Sequence, residues 1–281
     1  MTPGTAAAAA ACIAVLLSAC SEGGHPVPCG GEADTSAVVL GPSLVEVFFD
    51  IGIGWRVSGV DSFTGWPPEA AALPRVGGYL DASYEAIAAL GPTSVHSVGY
   101  SPDIEHMAAE LGIPYYGYSF DTLDDVFDSV TRLESLYGVE GDRFRSGLLS
   151  ELDSLRESLG GASRSVLLVI YHQAGSGTMT LAGRGTFLED LVEAMGCSLA
   201  APDQGTYPSV SVEGVLDLSP DRIVCLFPGA PDREASERLE REFWSGFGYD
   251  SGMVSVLAED YLLVPGPRMA LTAARISECL R

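Results

Sequence analysis

Short apolar runs alternate with segments of helical periodicity along most of this chain, and the alternation constrains the fold more than any other feature. Short apolar runs bounded by turn residues predict buried strands, and apolar residues three and four apart predict amphipathic helices. Strands separated by helices favour parallel sheets covered by helices. The predicted strands are 37–40, 56–60, 94–98, 114–118, 165–171, 222–227 and 261–264, and the predicted helices include 84–90, 104–111, 187–195, 234–243 and one that starts at Met269.

The alternation falls into two blocks, with no strand signal between them. From residue 122 to residue 159, apolar residues recur at helical spacing, and Gly138 and Gly141 interrupt the pattern once. We therefore expect two Rossmann-like α/β lobes, at 37–135 and 162–281, joined by a single long backbone helix at 136–161. Because a helical connection resists hinge bending, the lobes should close only slightly around anything that binds between them.

The first twenty residues have the features of a lipoprotein signal peptide. An apolar stretch too short to span a bilayer ends in Leu-Ser-Ala directly before Cys20, as in a lipobox. We expect a lipid on Cys20 to anchor the mature chain, and residues 21–36, rich in Gly, Pro and Ser, to act as a flexible linker. A disordered Ala-rich leader with an incidental Cys20 is the alternative.

The charge balance is strongly acidic. The chain has 38 acidic residues against 15 basic ones, all of them arginine, and a net charge of −23. This charge disfavours binding to nucleic acid or to anionic lipid. No later segment approaches the ~20 continuous apolar residues of a membrane-spanning helix. With 47% hydrophobic residues, the chain can form one large or two modest cores.

The cysteines beyond the lipobox lack the spacing of a metal site. Cys29, Cys197, Cys225 and Cys279 would lie in an oxidising compartment, where disulfides form. Cys225 stands in an apolar run and is predicted to be a buried thiol. A bridge between Cys197 and Cys279 is the preferred pairing.

A capping box predicts the start of the first helix. Ser43 followed by Glu46, just after the first strand, has the S-x-x-E pattern in which each side chain bonds to the other residue's backbone. We assign Glu46 this local role and expect the helix to run through Ile51.

One ten-residue pattern occurs twice. Residues 83–92 and 211–220 share the form S-x-E-x-(I/V)-x-x-L-x-P, which predicts a Ser-capped helix followed by a strand in each lobe. An acidic residue in the first helical turn complements the helix dipole by ~0.3–1 kcal/mol, and that would suffice to explain either Glu85 or Glu213 alone. Because the two recur at corresponding positions, we interpret Glu85 and Glu213 as one exposed acidic docking residue per lobe.

Several other short motifs occur in a specific order and spacing. They are Gly-Pro-Ser-Leu-Val-Glu at 41–46, Gly-Val-Asp at 59–61, Pro-Pro-Glu-Ala at 67–70, Leu-Pro-Arg-Val-Gly-Gly at 73–78 and Pro-Gly-Pro-Arg at 265–268. With the two repeats, these motifs make nearly all of the mature chain similar to the class III periplasmic substrate-binding proteins of ABC importers. That group has a helical backbone between two lobes and includes cobalamin-, ferric-siderophore- and haem-binding members.

The resemblance implies a monomeric, extracytoplasmic binding protein that delivers its ligand to a permease dimer with its ATPase. In the family, the acidic residues of the two repeats engage permease arginines, which assigns docking to Glu85 and Glu213. The ligand would lie in a cleft between the lobes, on loops at the carboxyl ends of the strands, as in other open α/β sheets.

Aromatic residues are frequent on the loops expected at that cleft. Rings bury large areas at little entropic cost and suit a bulky chelate, although core packing explains any single ring equally well. Haem-binding members place an iron-ligating Tyr in a motif similar to 76–79, but Asp81 replaces the Arg that usually follows, which weakens the haem interpretation. The predicted ligand-binding aromatic residues are Phe63, Trp66, Tyr79, Tyr100, Tyr171 and Tyr207.

Two polar residues complete the predicted site. Arg268 either contacts the ligand or braces the lobes, and His172 at a strand end could reach the cleft. We predict no metal ligands, because no His and carboxylate cluster has the pattern of a zinc or manganese site. We predict no catalytic residues, because the tract 171–178 lacks the G-x-S-x-G elbow of a hydrolase. No cofactor is expected.

The expected ligand is cobalamin or a near-neutral ferric siderophore of the hydroxamate type. Many ferric catecholates are anionic, and few basic residues lie on the cleft loops. Haem is the alternative ligand. A lipoprotein that sequesters or senses a chelate without transport is the alternative function.

Overall fold

The described part of the chain begins just before the first predicted strand. The structure, a computed structural model, describes residues 35–78, 81–161, 163–172, 177–203 and 205–281. The predicted signal peptide, most of the predicted linker, Cys20, Cys29 and Tyr79 lie outside these ranges. Within them, no helix is both long and apolar enough to cross a membrane.

The first lobe is a parallel sheet of four strands covered by helices. Its elements are β1 (Ala37–Leu40), α1 (Pro42–Asp50), a 3-10 helix (Gly54–Arg56), β2 (Val57–Val60), α2 (Pro68–Ala71), α3 (Tyr84–Leu90), β3 (Ser94–Val98), α4 (Pro102–Glu110) and β4 (Tyr115–Tyr118). The strand order is β2-β1-β3-β4, with every pair parallel. The carboxyl ends of all four strands therefore meet at one edge of the sheet.

Two helices, α5 (Leu123–Tyr137) and α6 (Arg143–Ser158), join the lobes. Gly138 ends α5 in the left-handed conformation, so the predicted break is confirmed. The second helix begins at Arg143 rather than at residue 136, because the residues before Gly138 still belong to the last turn of α5. Both helices contact the second lobe: α5 packs against the helix 187–194, and α6 packs against that helix and the helix 269–279.

The second lobe is a mixed sheet of six strands. Its elements are β5 (Ser165–His172), β6 (Thr178–Leu181), α7 (Phe187–Ala194), β7 (Ser198–Leu199), β8 (Ser209–Ser211), α8 (Val212–Leu218), β9 (Arg222–Leu226), α9 (Arg233–Ser245), a 3-10 helix (Ser251–Met253), β10 (Val254–Leu257) and α10 (Met269–Cys279). The order is β10-β9-β5-β6-β8, and β7 also pairs with β5. The pairs of β5 with β7 and β9 and of β9 with β10 are parallel, whereas β6 is antiparallel to both β5 and β8. The prediction of two α/β lobes is confirmed, and each sheet contains parallel strands.

One hydrophobic core continues from the first lobe into the second. It includes Phe48 of α1, Val130 of α5, Leu148 of α6, Leu168 of β5 and Ile276 of α10, all of them buried. Each lobe also has a smaller core of its own, on the other face of its sheet. The connection between the lobes is thus a packed interface, which supports the expectation of a small closure.

The predicted strand at 261–264 is wrong. These residues form turns, with bonds from Leu262 N to Glu259 O and from Val264 N to Tyr261 O, and the last strand is β10. The apolar run contributes to core packing instead, because Leu262 is fully buried in the shared core. An apolar run without period-2 alternation predicts burial but does not specify a strand.

The predicted capping box at Ser43 is also wrong. The helix α1 begins with Pro42 at its first position and Gly41 as its N-cap, and no side chain caps it. Ser43 and Glu46 are therefore inside the helix, and both are buried. Proline is favoured at the first helical position because its missing N–H would be unpaired there in any case.

Candidate functional site

A cleft of about 770 Å³ lies between the lobes, at the carboxyl ends of β1, β3 and β4. Residues that follow these three strands form its floor, and residues of the second lobe form its opposite wall. The floor consists of 41–43, 97–101 and 117–121, and the wall includes Phe187, Tyr207, Leu263 and Pro265. This is the position expected for a ligand in open α/β sheets.

The turn from β1 into α1 brings the main chain itself to the floor of the cleft. Gly41 has a φ of 110°, which side-chain-bearing residues rarely adopt. A Cβ on Gly41 would lie 2.6 Å from a Val98 methyl carbon, closer than atoms can pack. Glycine is therefore required both for the turn and for the close approach of β3.

Aromatic side chains from both lobes line the cleft. Tyr100 and Tyr207, predicted from the sequence, are among them. The Tyr100 hydroxyl donates a hydrogen bond to the carboxylate of Glu105, which restrains the ring. Sequence reasoning missed Tyr118, Phe120 and Phe187, although the first two end or follow a predicted strand and the third begins a predicted helix.

Three other predicted aromatic residues lie outside the lining of the cleft. Phe63, Trp66 and Tyr171 have exposed rings. Phe63 lies against Gly78, and Trp66 lies beside Arg268, whose guanidinium carbon is 5.5 Å from the ring centroid. Their contact with a ligand stays a prediction.

Arg268 joins the two lobes. From the loop before α10, its Nη2 and Nε donate to the Glu46 carboxylate of α1 at 2.6 and 3.0 Å, and its Nη1 donates to Asp260 at 3.1 Å. Burial raises the pKa of Glu46, and the bonds to Arg268 oppose that rise. Of the two roles considered for Arg268, the structure favours the brace.

His172 does not reach the cleft, so its predicted place in the site is wrong. The side chain is only 3% exposed, and Nδ1 lies 2.8 Å from Oε1 of Glu240 on α9. Successive residues of a strand point to opposite faces. Exposed Tyr171 therefore leaves His172 facing the core. Among the described residues, no group of three or more His, Cys, Asp or Glu could hold a metal ion.

The cleft has little charge. Asp121 is the one charged residue among those described at its lining, and no basic side chain is among them. Burial raises the pKa of Tyr207, and the Asp121 carboxylate adds to that rise. Burial likewise raises the pKa of Tyr118. Both phenols are therefore neutral at physiological pH and can donate or accept hydrogen bonds.

The two repeats form the same local structure. Ser83 caps α3 by accepting from Ala86 N, and Ser211 caps α8 by accepting from Gly214 N. Each helix has seven residues and ends in a left-handed residue before a proline and a strand. Glu85 and Glu213 are exposed in the first turns, as docking requires, and their role stays a prediction.

The predicted disulfide is wrong, because Cys197 and Cys279 are both free thiols. The two cysteines belong to different neighbours of α6, because α6 packs against α7, which precedes Cys197, and against α10, which carries Cys279. The Cys279 thiol instead donates to the carbonyl of Arg275 in its own helix. Cys225 is fully buried, as predicted, and burial raises its pKa.

Solved structures of two bacterial binding proteins share this fold. A periplasmic haem-binding protein from Pseudomonas aeruginosa superposes with a TM-score of 0.73 at 22% identity, over 88% of this chain and 92% of that one. The periplasmic vitamin B12-binding protein of Vibrio cholerae superposes with a TM-score of 0.68 at 21% identity, over 87% of this chain and 96% of that one.

Sequence comparison agrees with the fold. The vitamin B12-binding protein of Pectobacterium carotovorum is 26% identical over 244 residues, which span 85% of this chain and 86% of that protein. The sequence model of the periplasmic binding protein family matches residues 38–242, a range that begins within β1 and includes every later strand except β10. That family consists of binding proteins, not of an enzyme class, and its members act outside the cytoplasm. With its two lobes, interlobe cleft and matching sequence, the chain belongs to the periplasmic binding protein family.

Proposed function

We propose that this protein is the substrate-binding component of an ABC importer and that it carries a bulky, near-neutral metal chelate, cobalamin in the first place. One observation carries the proposal. The described lining of the interlobe cleft combines five aromatic side chains with a single carboxylate and no basic side chain. Rings that face a flat, bulky ligand stabilise it by burying apolar area.

The same lining disfavours strongly anionic chelates. Ferric catecholates and citrates carry several negative charges, and a site for them needs arginine or lysine within the cleft. Arg268, the cation beside Trp66, already has its donors engaged by Glu46 and Asp260. A near-neutral hydroxamate siderophore remains compatible with the lining.

Haem is the second candidate. Its macrocycle would fit the same aromatic walls, and the phenol oxygen of a tyrosine at the cleft could ligate the iron. The haem-binding proteins among the structural relatives make this candidate concrete. Against it stand the carboxylates of haem, for which the described lining offers no cation.

Delivery to the importer depends on features outside the cleft. In the proposal, exposed Glu85 and Glu213 dock the two lobes on arginines of a permease dimer, whose ATPase then drives uptake. A lipid on Cys20 anchors the protein, as a monomer, at the membrane. The helix dipole explanation of each glutamate remains the alternative, as does chelate sequestration or sensing without transport.

Calorimetric titration of the full mature chain tests the choice of ligand. Cyanocobalamin, a ferric hydroxamate and haemin are titrated separately, and we expect one-to-one binding of cyanocobalamin to be tightest. Tyr100→Ala and Tyr207→Ala should each weaken binding by about ten- to a hundredfold, since a buried aromatic side chain contributes ~1.5–3 kcal/mol.

The matched control is Trp55→Ala. Trp55 is an exposed aromatic residue in the 3-10 helix that follows α1. It therefore lies beyond the C-terminus of α1, whereas the N-terminus of α1 lies at the cleft. Its removal should leave affinity unchanged. Tightest binding of haemin would transfer the proposal to haem, and binding of none of the three would reject the aromatic-cleft explanation.

A further inference from the structure

Asp61, the residue after β2, holds three parts of the first lobe together through its carboxylate. Oδ2 accepts from Gly41 N and from Thr64 Oγ1, both at 2.8 Å, and Oδ1 accepts from Phe63 N at 2.7 Å. The side chain is 0% exposed. Asp61 therefore cannot touch a ligand itself.

The bonds of Asp61 connect the floor of the cleft to the aromatic loop 63–66. Gly41 begins the floor, and the loop carries Phe63 and Trp66. At its far end the loop reaches Arg268 of the second lobe. Near Asp61 it is fixed by Arg75, whose guanidinium donates to the Asp61 carbonyl at 2.8 Å. The loop is thus held at both ends, and Asp61 supplies the attachment to the floor.

A carboxylate suits this position better than a neutral group. The N-terminus of α1 has no side-chain cap and no acidic residue in its first turn, and a negative charge beside it is stabilised by the helix dipole. Burying a carboxylate is costly unless hydrogen bonds compensate, and three donors do so here. Asp61 is thus a fully buried carboxylate with three hydrogen-bond donors, and it is not among the residues that line the cleft. Its role must therefore be an indirect one.

We propose that Asp61 is a positioning residue for ligand binding, which fixes the aromatic loop 63–66 against the cleft floor and so holds Phe63 and Trp66 at the edge of the cleft. The inference rests on the proposed function, because the benefit of a fixed loop is a higher affinity for the chelate. It assigns the loop rings to the ligand although they lie outside the lining of the cleft.

Asp61→Asn is the primary test. The amide keeps one acceptor oxygen, so its NH₂ group must face either Phe63 N–H or the Gly41 and Thr64 donors, and at least one bond is lost. We expect the affinity for cyanocobalamin to fall about tenfold. The matched control is Asp221→Asn, which removes a carboxylate that accepts from Ser165 N at the opposite end of the second sheet, and it should leave affinity unchanged.

A double-mutant cycle separates positioning from a general structural role. In a Phe63→Ala, Trp66→Ala background, the further change Asp61→Asn should cost no additional affinity, because the rings that it positions are absent. An equal loss in both backgrounds would overturn the proposal. Thr64→Val, which removes one bond only, replaces Asp61→Asn if that variant does not fold, and it should weaken binding about threefold.

A ligand-free measurement distinguishes failure of this proposal from failure of the proposed function. In a Trp55→Phe protein the remaining tryptophans are exposed Trp66 and fully buried Trp244, so the part of the emission that acrylamide quenches comes from Trp66. Asp61→Asn should lower the anisotropy of that emission, and Asp221→Asn should not. Unchanged anisotropy would overturn the positioning role. Lowered anisotropy in a protein that binds none of the three chelates would support it while rejecting the ligand class.

Discussion

At the scale of single residues, the ion pair of Arg268 with Glu46 joins the two lobes. Glu46 is 2% exposed and Arg268 13% exposed, whereas the third partner, Asp260, is 68% exposed. Removal of one partner from a buried ion pair leaves an uncompensated charge, which costs ~3–5 kcal/mol. An exposed pair contributes ~0–1 kcal/mol.

We therefore expect Arg268→Met to lower the free energy of unfolding by about 3–5 kcal/mol, while Asp260→Asn lowers it by less than about 1 kcal/mol. Methionine keeps much of the aliphatic packing and removes the charge. Urea unfolding followed by circular dichroism measures both variants. Equal losses for the two would show that the buried Glu46 is stabilised by something other than Arg268.

Order along the chain was enough to place two predicted residues at the cleft. Tyr100 was chosen because it follows the predicted strand 94–98, and Tyr207 because it precedes the second repeat, and both line the cleft. His172 was misassigned because the face of a strand, not its end, decides where a side chain points. The role of Glu46 could not be read from its neighbours, because its partner lies far along the chain.

At the scale of elements, a buried histidine joins β3 and β4 to α5. His96 Nδ1 lies 3.1 Å from the Tyr118 hydroxyl, and Nε2 lies 3.0 Å from Ser94 Oγ and 2.8 Å from the Tyr137 hydroxyl. Burial, with a smaller contribution from the nearby Arg132, lowers the pKa of His96 from 6.5 to about 3. The imidazole is therefore neutral in the folded protein.

This shift predicts a loss of stability in acid. Since the folded pKa lies below the unfolded one, the unfolded chain binds the proton first, and the His96 contribution is lost as the pH falls from 6.5 toward about 3. His96→Gln should reduce the dependence of unfolding free energy on pH between about pH 7 and pH 5. Denaturant titrations at several pH values measure it.

The control for His96 is His106→Gln. The His106 side chain on α4 is 76% exposed, so its replacement should leave the pH dependence of unfolding unchanged. A pH dependence in the His96 variant equal to that of the original chain would assign the acid sensitivity to other groups.

Element boundaries were predictable where the sequence has a strong helix-ending or helix-capping residue. Gly138 ended α5 as expected, and the two repeats formed matching Ser-capped helices. The failures came from tertiary competition. The run 261–264 packs into the shared core as turns, and Pro42 displaced the capping box by starting α1 one residue before Ser43.

At the scale of the whole molecule, one continuous core extends through both lobes, and the proposed docking requires the lobes to keep their relative positions. Exposed Glu85 and Glu213 would meet a permease dimer with two separate basic sites. Close charge pairs at protein interfaces have coupling energies of ~1.5–7 kcal/mol, so two such pairs can set the orientation.

The fold class was predictable because the alternation of strands and helices is long-range and repeated.

Glu85→Ala combined with Glu213→Ala should abolish stimulation of the importer's ATPase and leave chelate affinity unchanged. Each glutamate is exposed, and neither is among the described residues that line the cleft. The ATPase rate of the importer reconstituted in vesicles, with and without the liganded protein, measures the effect. Glu140→Ala with Glu234→Ala removes two exposed glutamates outside the repeats and should preserve stimulation. Unchanged stimulation in the first variant would remove the docking assignment.

A chelate that lies between the lobes contacts both of them at once, and hydrogen exchange with and without cyanocobalamin measures this most directly. We expect the ligand to slow exchange in 41–45, 97–101 and 117–123 of the first lobe and, in the same sample, around Phe187 and Tyr207 of the second. Protection confined to one lobe, or protection that leaves the cleft segments of both lobes unchanged, would contradict binding between the lobes.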